Sequence, residues 1–168
     1  MKTVVYISEL TQTIRIVQGA VAGGKLAVTD CLDTAFPPAA GETAALWQQK
    51  TDFLRDLWRD HQLPAKEVRL VLGAASALTK RLEVPLIGAK QLLALIANEF
   101  AGQLAAGTDY LFDYQVLAQR RPGNEDGGII LAGAIEQQLV AGYAALFSQL
   151  GVELESVDSS LNTAVRLF

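Results

Sequence analysis

The chain has 168 residues, of which 51% are hydrophobic and 19% are charged. This balance excludes wholesale disorder and allows one large domain or two small subdomains, each with a buried core. The net charge of −4, with the 14 lysines and arginines scattered along the chain, argues against nucleic acid as a partner, because phosphate binding draws its affinity from clustered basic side chains.

The N-terminal part of the chain predicts a βββαβ order of elements. Residues 3–8 and 12–18 are rich in Val, Ile, Thr and Tyr, and the glycine-containing turn 19–24 precedes a third strand over 25–32, which predicts an antiparallel meander. Apolar residues then recur near the 3.6-residue period over 43–61, as in an amphipathic helix. The short apolar run 68–72 follows, and a strand after a helix is expected to insert in parallel beside the first hairpin.

The middle of the chain predicts a strand-helix-strand-strand order. Residues 78–84 alternate as in a strand, and Lys80 on the otherwise apolar face indicates that this strand is short or at an edge. An apolar stripe predicts a helix over 89–105. Alternating aromatic residues predict a strand over 110–118 that packs on this helix. The unbroken apolar run 129–132 predicts a strand that is buried on both faces.

The end of the chain predicts a helix, a strand and a second helix. The apolar spacing over 134–150 is that of a helix, and Gly151 follows it as the C′ residue. Residues 152–157 return as a strand. Asp158 or Ser159 then caps a final helix that runs to the last residue.

Residues with catalytic chemistry are few. The single cysteine, Cys31, excludes an internal disulfide and a cysteine-based zinc site, and it fits a reduced, cytosolic setting. One cysteine and one histidine, His61, leave too few partners for a Cys–His nucleophile. The polar turn 121–128 contains glycines, but it precedes a strand and lacks Gly-Lys-Ser/Thr, so it is not a phosphate loop. We expect no catalytic residue and no metal site.

Residues 68–85, 112–117 and 144–154, in this order and spacing, resemble PilM, the cytoplasmic actin-like family of type IV pilus assembly that is related to the cell-division protein FtsA. The resemblance implies an α/β fold. An RNase H-like, actin-like subdomain of residues 1–75 and 152–168 would carry an inserted strand-helix-strand-strand (SHS2-like) subdomain of residues 76–151. Because the family continues into a second lobe, the chain is expected to be the first lobe only.

The first hairpin departs from the family at its turn, where an Asp-x-Gly sequence is usual. Ser8, Glu9 and Leu10 stand at the matching positions, and Thr11 follows them. Without the glycine, a side chain lies where backbone N–H groups should approach a phosphate, and without the aspartate the charge on the metal side is lost. We therefore expect a degenerate phosphate loop, no nucleotide cofactor and no enzyme activity.

The resemblance implies an adaptor that binds a partner peptide. Members of the family bind a short N-terminal cytoplasmic peptide of PilN, an inner-membrane protein, in a groove between the two subdomains. The candidate groove residues are apolar side chains of the helix and of the aromatic strand that follows it, namely Leu92, Ile96, Phe100, Phe112 and Tyr114. The same side chains are also those expected of an ordinary hydrophobic core.

The position in the cell follows from the same resemblance. No stretch of the sequence approaches the ~20 apolar residues that span a bilayer. We therefore expect no direct membrane insertion and a cytoplasmic protein that is peripheral to the inner membrane through its partner. Apolar surface left open by a missing lobe would also favour self-association.

Two other interpretations are compatible with the sequence. The chain could be half of an actin-like ATPase whose nucleotide site needs the second lobe, with Glu9 or Thr11 facing the phosphate and Arg15 in place of the usual lysine. It could also be an unrelated α/β domain that binds a protein partner. Within the actin-like class, the cytoplasmic part of GspL from type II secretion is the nearest competitor to PilM.

Overall fold

A computed structural model describes residues 2–23, 25–38, 43–85, 87–119 and 127–165. The elements in chain order are β1 (Lys2–Ser8), β2 (Thr13–Ala22), β3 (Lys25–Ala35), α1 (Thr43–Asp60), β4 (Val68–Leu72), a short 3-10 helix (Ala74–Ser76), β5 (Ala77–Pro85), α2 (Ala89–Phe100), β6 (Tyr110–Gln119), β7 (Gly127–Glu136), α3 (Gln137–Gln149), β8 (Leu154–Ser159) and α4 (Ser160–Val165). Most of the predicted elements are confirmed in type and order.

The chain divides into two compact units. The first comprises Met1–Ser76 and Val140–Phe168, and the second comprises Ala77–Leu139. The predicted subdomain limits differ from this division at α3, most of which belongs to the first unit because its aromatic residues pack against α1. The predicted limits of 1–75 with 152–168, and of 76–151, stay a prediction.

The first unit is built on a five-stranded sheet with the order β3-β2-β1-β4-β8. Strands β1 to β3 form the predicted antiparallel meander, and β4 lies parallel to β1 as expected. Strand β8 adds in parallel beside β4. The carboxyl ends of β1, β4 and β8 therefore meet at one edge of the sheet, where Leu72 pairs with both Ile7 and Ser159.

Two helices of the first unit, α1 and α3, are joined by aromatic contacts. The Trp47 and Tyr143 rings meet edge-on with centroids 5.0 Å apart, and the Trp58 and Phe147 rings do so at 5.5 Å. Gly142 allows this approach, because a Cβ atom there would lie 2.6 Å from Cη2 of Trp47 and closer still to Cζ2. The close contact fixes the position of α3 against α1.

Helix α3 ends as predicted but begins later than predicted. Gly151 has a φ of +69°, its N–H donates to the Ser148 carbonyl at 3.0 Å, and the Val152 N–H donates to the Phe147 carbonyl at 2.9 Å. This is a Schellman motif with Gly151 at C′. The predicted start at residue 134 is wrong, because residues 134–136 still pair with neighbouring strands in β7.

The last strand and helix follow the predicted order with shifted limits. Strand β8 starts at Leu154 rather than at 152, because Val152 closes the Schellman motif and the Glu153 N–H donates to the Ala65 carbonyl at 2.8 Å. The Ser159 hydroxyl accepts a hydrogen bond from the Asn162 N–H at 3.2 Å, so Ser159 is the N-cap of α4. Residues 166–168 of the predicted final helix lie outside the described residues.

The second unit is a three-stranded antiparallel sheet with the order β5-β7-β6 and with α2 on one face. Its core side chains are buried between sheet and helix: Val84, Leu92, Ile96, Phe100, Ile130, Ala132 and Ala134. The prediction that residues 129–132 are buried on both faces is wrong. Ile130 and Ala132 face α2 and are buried, whereas Ile129 and Leu131 point to the other face and are half-buried.

Strand β5 and helix α2 complete the comparison with the predictions. Lys80 lies in a strand at the sheet edge, which is one of the two predicted alternatives, and this strand is nine residues long. The Lys80 amine donates to the Glu99 carbonyl and lies 5.2 Å from the centre of the Phe100 ring, so it caps the carbonyl end of α2. Helix α2 ends at Phe100 rather than 105, because the Ala101 N–H turns to the Asn98 carbonyl at 3.2 Å.

Candidate functional site

The hairpin turn between β1 and β2 is closed by its own side chains. The Ser8 hydroxyl accepts a hydrogen bond from the Thr11 N–H at 3.3 Å, and the Gln12 side-chain amide donates to the Glu9 carbonyl. Leu10 stands at the tip with 77% of its surface exposed. The Thr11 N–H therefore already donates a hydrogen bond inside the turn and is not available to a phosphate.

The Glu9 carboxylate points away from the turn and is held by two partners. The Lys50 amine donates to its two oxygens at 2.7 and 2.8 Å, and the Tyr143 hydroxyl donates to Oε1. The Lys50 and Glu9 side chains are only 16% and 28% exposed, and Tyr143 is buried. This cluster of Glu9, Lys50 and Tyr143, which we call the turn cluster, joins the first hairpin to α1 and α3.

The surroundings of the turn cluster favour the ionised form of Glu9. Burial of the Glu9 carboxylate acts against ionisation, but the hydrogen bonds from Lys50 and Tyr143 outweigh it, so the pKa of Glu9 lies below its ordinary value. Burial, together with the Glu9 carboxylate, raises the pKa of Tyr143. The Tyr143 hydroxyl therefore keeps its proton and acts as a donor.

Three aromatic rings surround the Lys50 amine. Its Nζ atom lies 5.3 Å from the centre of the Phe36 ring, 5.1 Å from that of Trp47 and 5.5 Å from that of Tyr143. At these distances the electron-rich faces of the rings attract an ammonium group. Trp47 and Lys50 are three residues apart on α1, so they share one face of the helix.

The end of β4 packs closely behind the turn. The Gly73 N–H donates to the Ile7 carbonyl at 2.7 Å. A Cβ atom at Gly73 would lie 3.2 Å from both Cα of Ser8 and Oη of Tyr6. A side chain at this position would have to push the two strand ends apart by a few tenths of an ångström, so Gly73 supports the conformation of the turn from behind.

Groups of the turn that could meet a nucleotide phosphate or its magnesium ion are engaged within the protein. Both oxygens of Glu9 accept hydrogen bonds from Lys50, and the Thr11 N–H is bonded to Ser8. Among the residues that the structure describes, no three His, Cys, Asp or Glu side chains come together as metal ligands.

The five predicted groove residues meet in the core of the second unit. Leu92, Ile96 and Phe100 are buried, and Phe112 and Tyr114 are half-buried and pack against them. The Phe100 and Phe112 rings lie with their centroids 6.4 Å apart. These are core contacts, and Ile96 and Phe100 have no exposed surface to offer. A role of the five in partner binding stays a prediction.

Strand β6 carries exposed apolar side chains that the sequence reasoning missed. Leu111, Val116 and Leu117 are all exposed. Among the described residues, β6 pairs only with β7, so its other edge is open. The register shifts between Val116 and Ala118, which makes Leu117 the extra residue of a bulge. The sequence had placed Val116 on the same face as the aromatic row, and it gave no indication that Leu111 and Leu117 are exposed.

Comparison with known proteins gave no match at the level of sequence, since no family model matches the chain and no curated protein matches it significantly. Within the described ranges, no helix is both long and apolar enough to cross a membrane.

Solved structures share the fold. A chain of the PilM-PilN type IV pilus biogenesis complex is similar over 98% of this chain, with a TM-score of 0.75 and 13% identity. The cytoplasmic domain of EpsL, an inner-membrane component of the type II secretion system of Vibrio cholerae, is similar over 93%, with a TM-score of 0.55 and 11% identity. A Bacteroides thetaiotaomicron protein with an actin-like ATPase fold and unknown function is similar over 99%, with a TM-score of 0.51 and 9% identity.

The present chain covers 49%, 56% and 55% of these three structures, so it spans about half of their length. The shared fold favours the actin-like interpretation over that of an unrelated α/β domain. The predicted resemblance to PilM holds at the level of the fold, and the chain has the α/β, actin-like fold that the resemblance implied.

Proposed function

We propose that this chain is one lobe of a cytoplasmic adaptor in a type IV pilus or type II secretion assembly and that it binds a short cytoplasmic peptide of an inner-membrane partner. The observation that carries the proposal is the likeness to the PilM-PilN complex over 98% of the chain. The likeness to the EpsL cytoplasmic domain supports the same class of assembly. Such a partner would hold the chain at the cytoplasmic face of the inner membrane.

The open edge of β6 suits an extended peptide. A peptide that adds to a sheet edge gains affinity from main-chain hydrogen bonds and specificity from side chains at alternate positions. Val116 and Leu117 offer apolar contacts for such side chains beside that edge. The Asp113 carboxylate accepts a hydrogen bond from the Tyr114 N–H at 2.8 Å and competes with pairing at that point. The proposed peptide therefore pairs with residues 115–118.

The proposed adaptor has no catalytic activity of its own. The turn cluster supports this part of the proposal, because Glu9 is already paired with Lys50 and Tyr143 and the turn lacks a glycine. An actin-like ATPase half, the second function compatible with the sequence, would have to bind nucleotide through residues other than this turn.

A calorimetric titration tests the proposal. The ligand is a peptide that copies the N-terminal cytoplasmic segment of the inner-membrane protein encoded beside this chain, and magnesium-ATP is titrated in parallel. We expect saturable heat from the peptide and none from magnesium-ATP. Heat from magnesium-ATP without heat from the peptide would favour the ATPase half instead, and no heat from the peptide contradicts the adaptor.

A pair of matched variants locates the binding surface. Val116→Glu places a charge on the open edge of β6 and is expected to weaken peptide binding about tenfold or more. Val28→Glu is the control, because Val28 is a valine of similar exposure, 55% against 47%, on the edge strand β3 of the first unit. Equal losses in both variants would place the peptide elsewhere.

A further inference from the structure

The Glu9 carboxylate lies among donors that would suit any small oxyanion. The Lys50 amine provides two hydrogen bonds and a positive charge, and the Tyr143 hydroxyl provides a third hydrogen bond. Hydrogen bonds from charged donors to carboxylates or phosphates are about twice as strong as neutral ones. The cluster is partly shielded from water, which strengthens these contacts further.

The two donors are held in place by contacts that do not involve Glu9. The Lys50 amine lies among the rings of Phe36, Trp47 and Tyr143. The Tyr143 ring packs edge-on against Trp47, and the neighbouring Gly142 allows that close approach. Removal of the Glu9 carboxylate would therefore leave two oriented donors facing a space that is open to solvent through the exposed part of the Glu9 side chain.

We propose that Lys50 and Tyr143 form an oxyanion-binding site in which Glu9 acts as a built-in ligand. The chain thus carries the anion of this site on its own hairpin turn. The ligand class is a small oxyanion, either a carboxylate or a phosphate. This inference does not depend on peptide binding at β6, so one can fail while the other stands.

Chemical rescue tests the inference. Glu9→Ala removes one methylene carbon and the carboxylate, which are together the size and charge of acetate. We expect acetate to raise the melting temperature of Glu9→Ala by about 3–6 °C at about ten times its dissociation constant, in comparison with chloride at the same ionic strength and pH. The effect should saturate. The wild-type chain and Glu9→Gln, in which the space is filled, should show no such difference between acetate and chloride.

Two second-site variants assign the effect to the proposed donors. In Glu9→Ala, the further change Lys50→Met should abolish the acetate effect, and Tyr143→Phe should weaken acetate binding. If acetate stabilises the wild type and Glu9→Ala equally, or acts without Lys50, the site is overturned and the cluster is only an ion pair. Should Glu9→Ala be unfolded in chloride, folding on addition of acetate, followed by circular dichroism, is the expected result. Failure to fold in acetate overturns the site.

Discussion

Lys50 connects α1 to the first hairpin, because its amine pairs with the Glu9 carboxylate. It pairs with Glu9 and lies among three aromatic rings, and its side chain is only 16% exposed. An ion pair at this depth contributes little compared with a well-packed apolar replacement, but loss of one partner leaves a poorly solvated charge. Single changes at Lys50 and Glu9 should therefore be costly, and paired changes should be less so.

Replacement of Lys50 by methionine tests this expectation. Lys50→Met keeps the length and the apolar contact with the rings but leaves the Glu9 carboxylate without its cation. We expect a loss of about 2–3 kcal/mol in the free energy of unfolding, less than for a fully buried pair because Glu9 is partly exposed. Urea unfolding measures it. Lys66→Met, at an exposed lysine, should change stability by less than about 0.5 kcal/mol.

Compensation gives the second half of the test. The double variant Glu9→Gln with Lys50→Met removes both charges and should recover part of the stability that Lys50→Met loses. If the losses of the two single variants simply add, Glu9 and Lys50 are not coupled and the cluster does not act as a unit.

The lowered pKa of Glu9 predicts a dependence of stability on pH. A carboxyl group whose pKa is lower in the folded chain contributes stability above its unfolded pKa, near 4.5, and loses that contribution as the pH falls through the folded value. The difference in unfolding free energy between the wild type and Glu9→Gln should therefore shrink below about pH 4.5. Urea unfolding between about pH 3 and 7 measures the difference. A constant difference contradicts the prediction.

The exposed carboxylate of Glu155 provides a comparison with the partly buried carboxylate of Glu9. Hydrogen bonds from Arg69 and Lys2 lower the pKa of Glu155 to about 2, with Arg69 the larger cause. Its contribution has the same sign and is lost as the pH falls from about 4.5 through about 2. Because this pair is exposed, salt should remove most of the effect of Glu155→Gln while leaving that of Glu9→Gln.

At the scale of elements, the contact of α1 with α3 depends on a missing side chain. Gly142 lies within α3, where glycine is about 1 kcal/mol less favourable than alanine. The Trp47 ring occupies the space that a side chain would need, since its Cη2 atom lies 2.6 Å from where a Cβ atom would stand. Packing between the two helices therefore outweighs the local preference of α3.

Substitution of Gly142 measures whether packing against Trp47 or helix propensity has the larger effect on stability. Gly142→Ala should destabilise the chain by about 1–3 kcal/mol in spite of its better helix propensity, because the Trp47 ring or the helix must move. Gly102→Ala is the control, since nothing lies within 4 Å of a Cβ there, and it should be neutral or slightly stabilising. Thermal unfolding of both variants measures the two effects. A Gly142→Ala variant more stable than the wild type would contradict the prediction and show that the Trp47 ring moves at little cost.

At the scale of the whole molecule, each of the two sheets has a long edge strand that limits its own pairing. In β3, the Asp30 carboxylate accepts a hydrogen bond from the Cys31 N–H at 2.8 Å, and the register shifts opposite Gln18 and Gly19. In β6, Asp113 takes the Tyr114 N–H in the same way. Bulges and charged side chains are the usual means by which edge strands avoid pairing with other chains.

This arrangement predicts how self-association would arise. Asp113→Val removes the charge and the competing acceptor from β6 and should shift the chain towards dimers in sedimentation velocity experiments. Asp56→Val removes one negative charge from the exposed face of α1 and should not change the fraction of dimer. If both variants form dimers to the same extent, net charge controls association and the edge of β6 does not.

The order of elements could be predicted from the sequence because it depends on local signals. Apolar periodicity located α1 and α2, a glycine with positive φ ended α3, and Ser159 capped α4. The first and last residues of an element were predicted wrongly where pairing between distant strands competed with a local preference. Residues 134–136 show this, because their apolar spacing suits a helix while the neighbouring strands hold them in β7.

The turn cluster shows what sequence alone could not decide. The sequence determined that the turn at Glu9 lacks the aspartate and the glycine of a phosphate loop, but it did not single out Lys50 or Tyr143 as partners of Glu9. Only the tertiary structure decided that Lys50 and Tyr143 bond to Glu9, because they lie 41 and 134 residues away from it. Local spacing carries the information for a helix or a turn, whereas contacts between such distant residues arise only when α1, α3 and the first hairpin pack together.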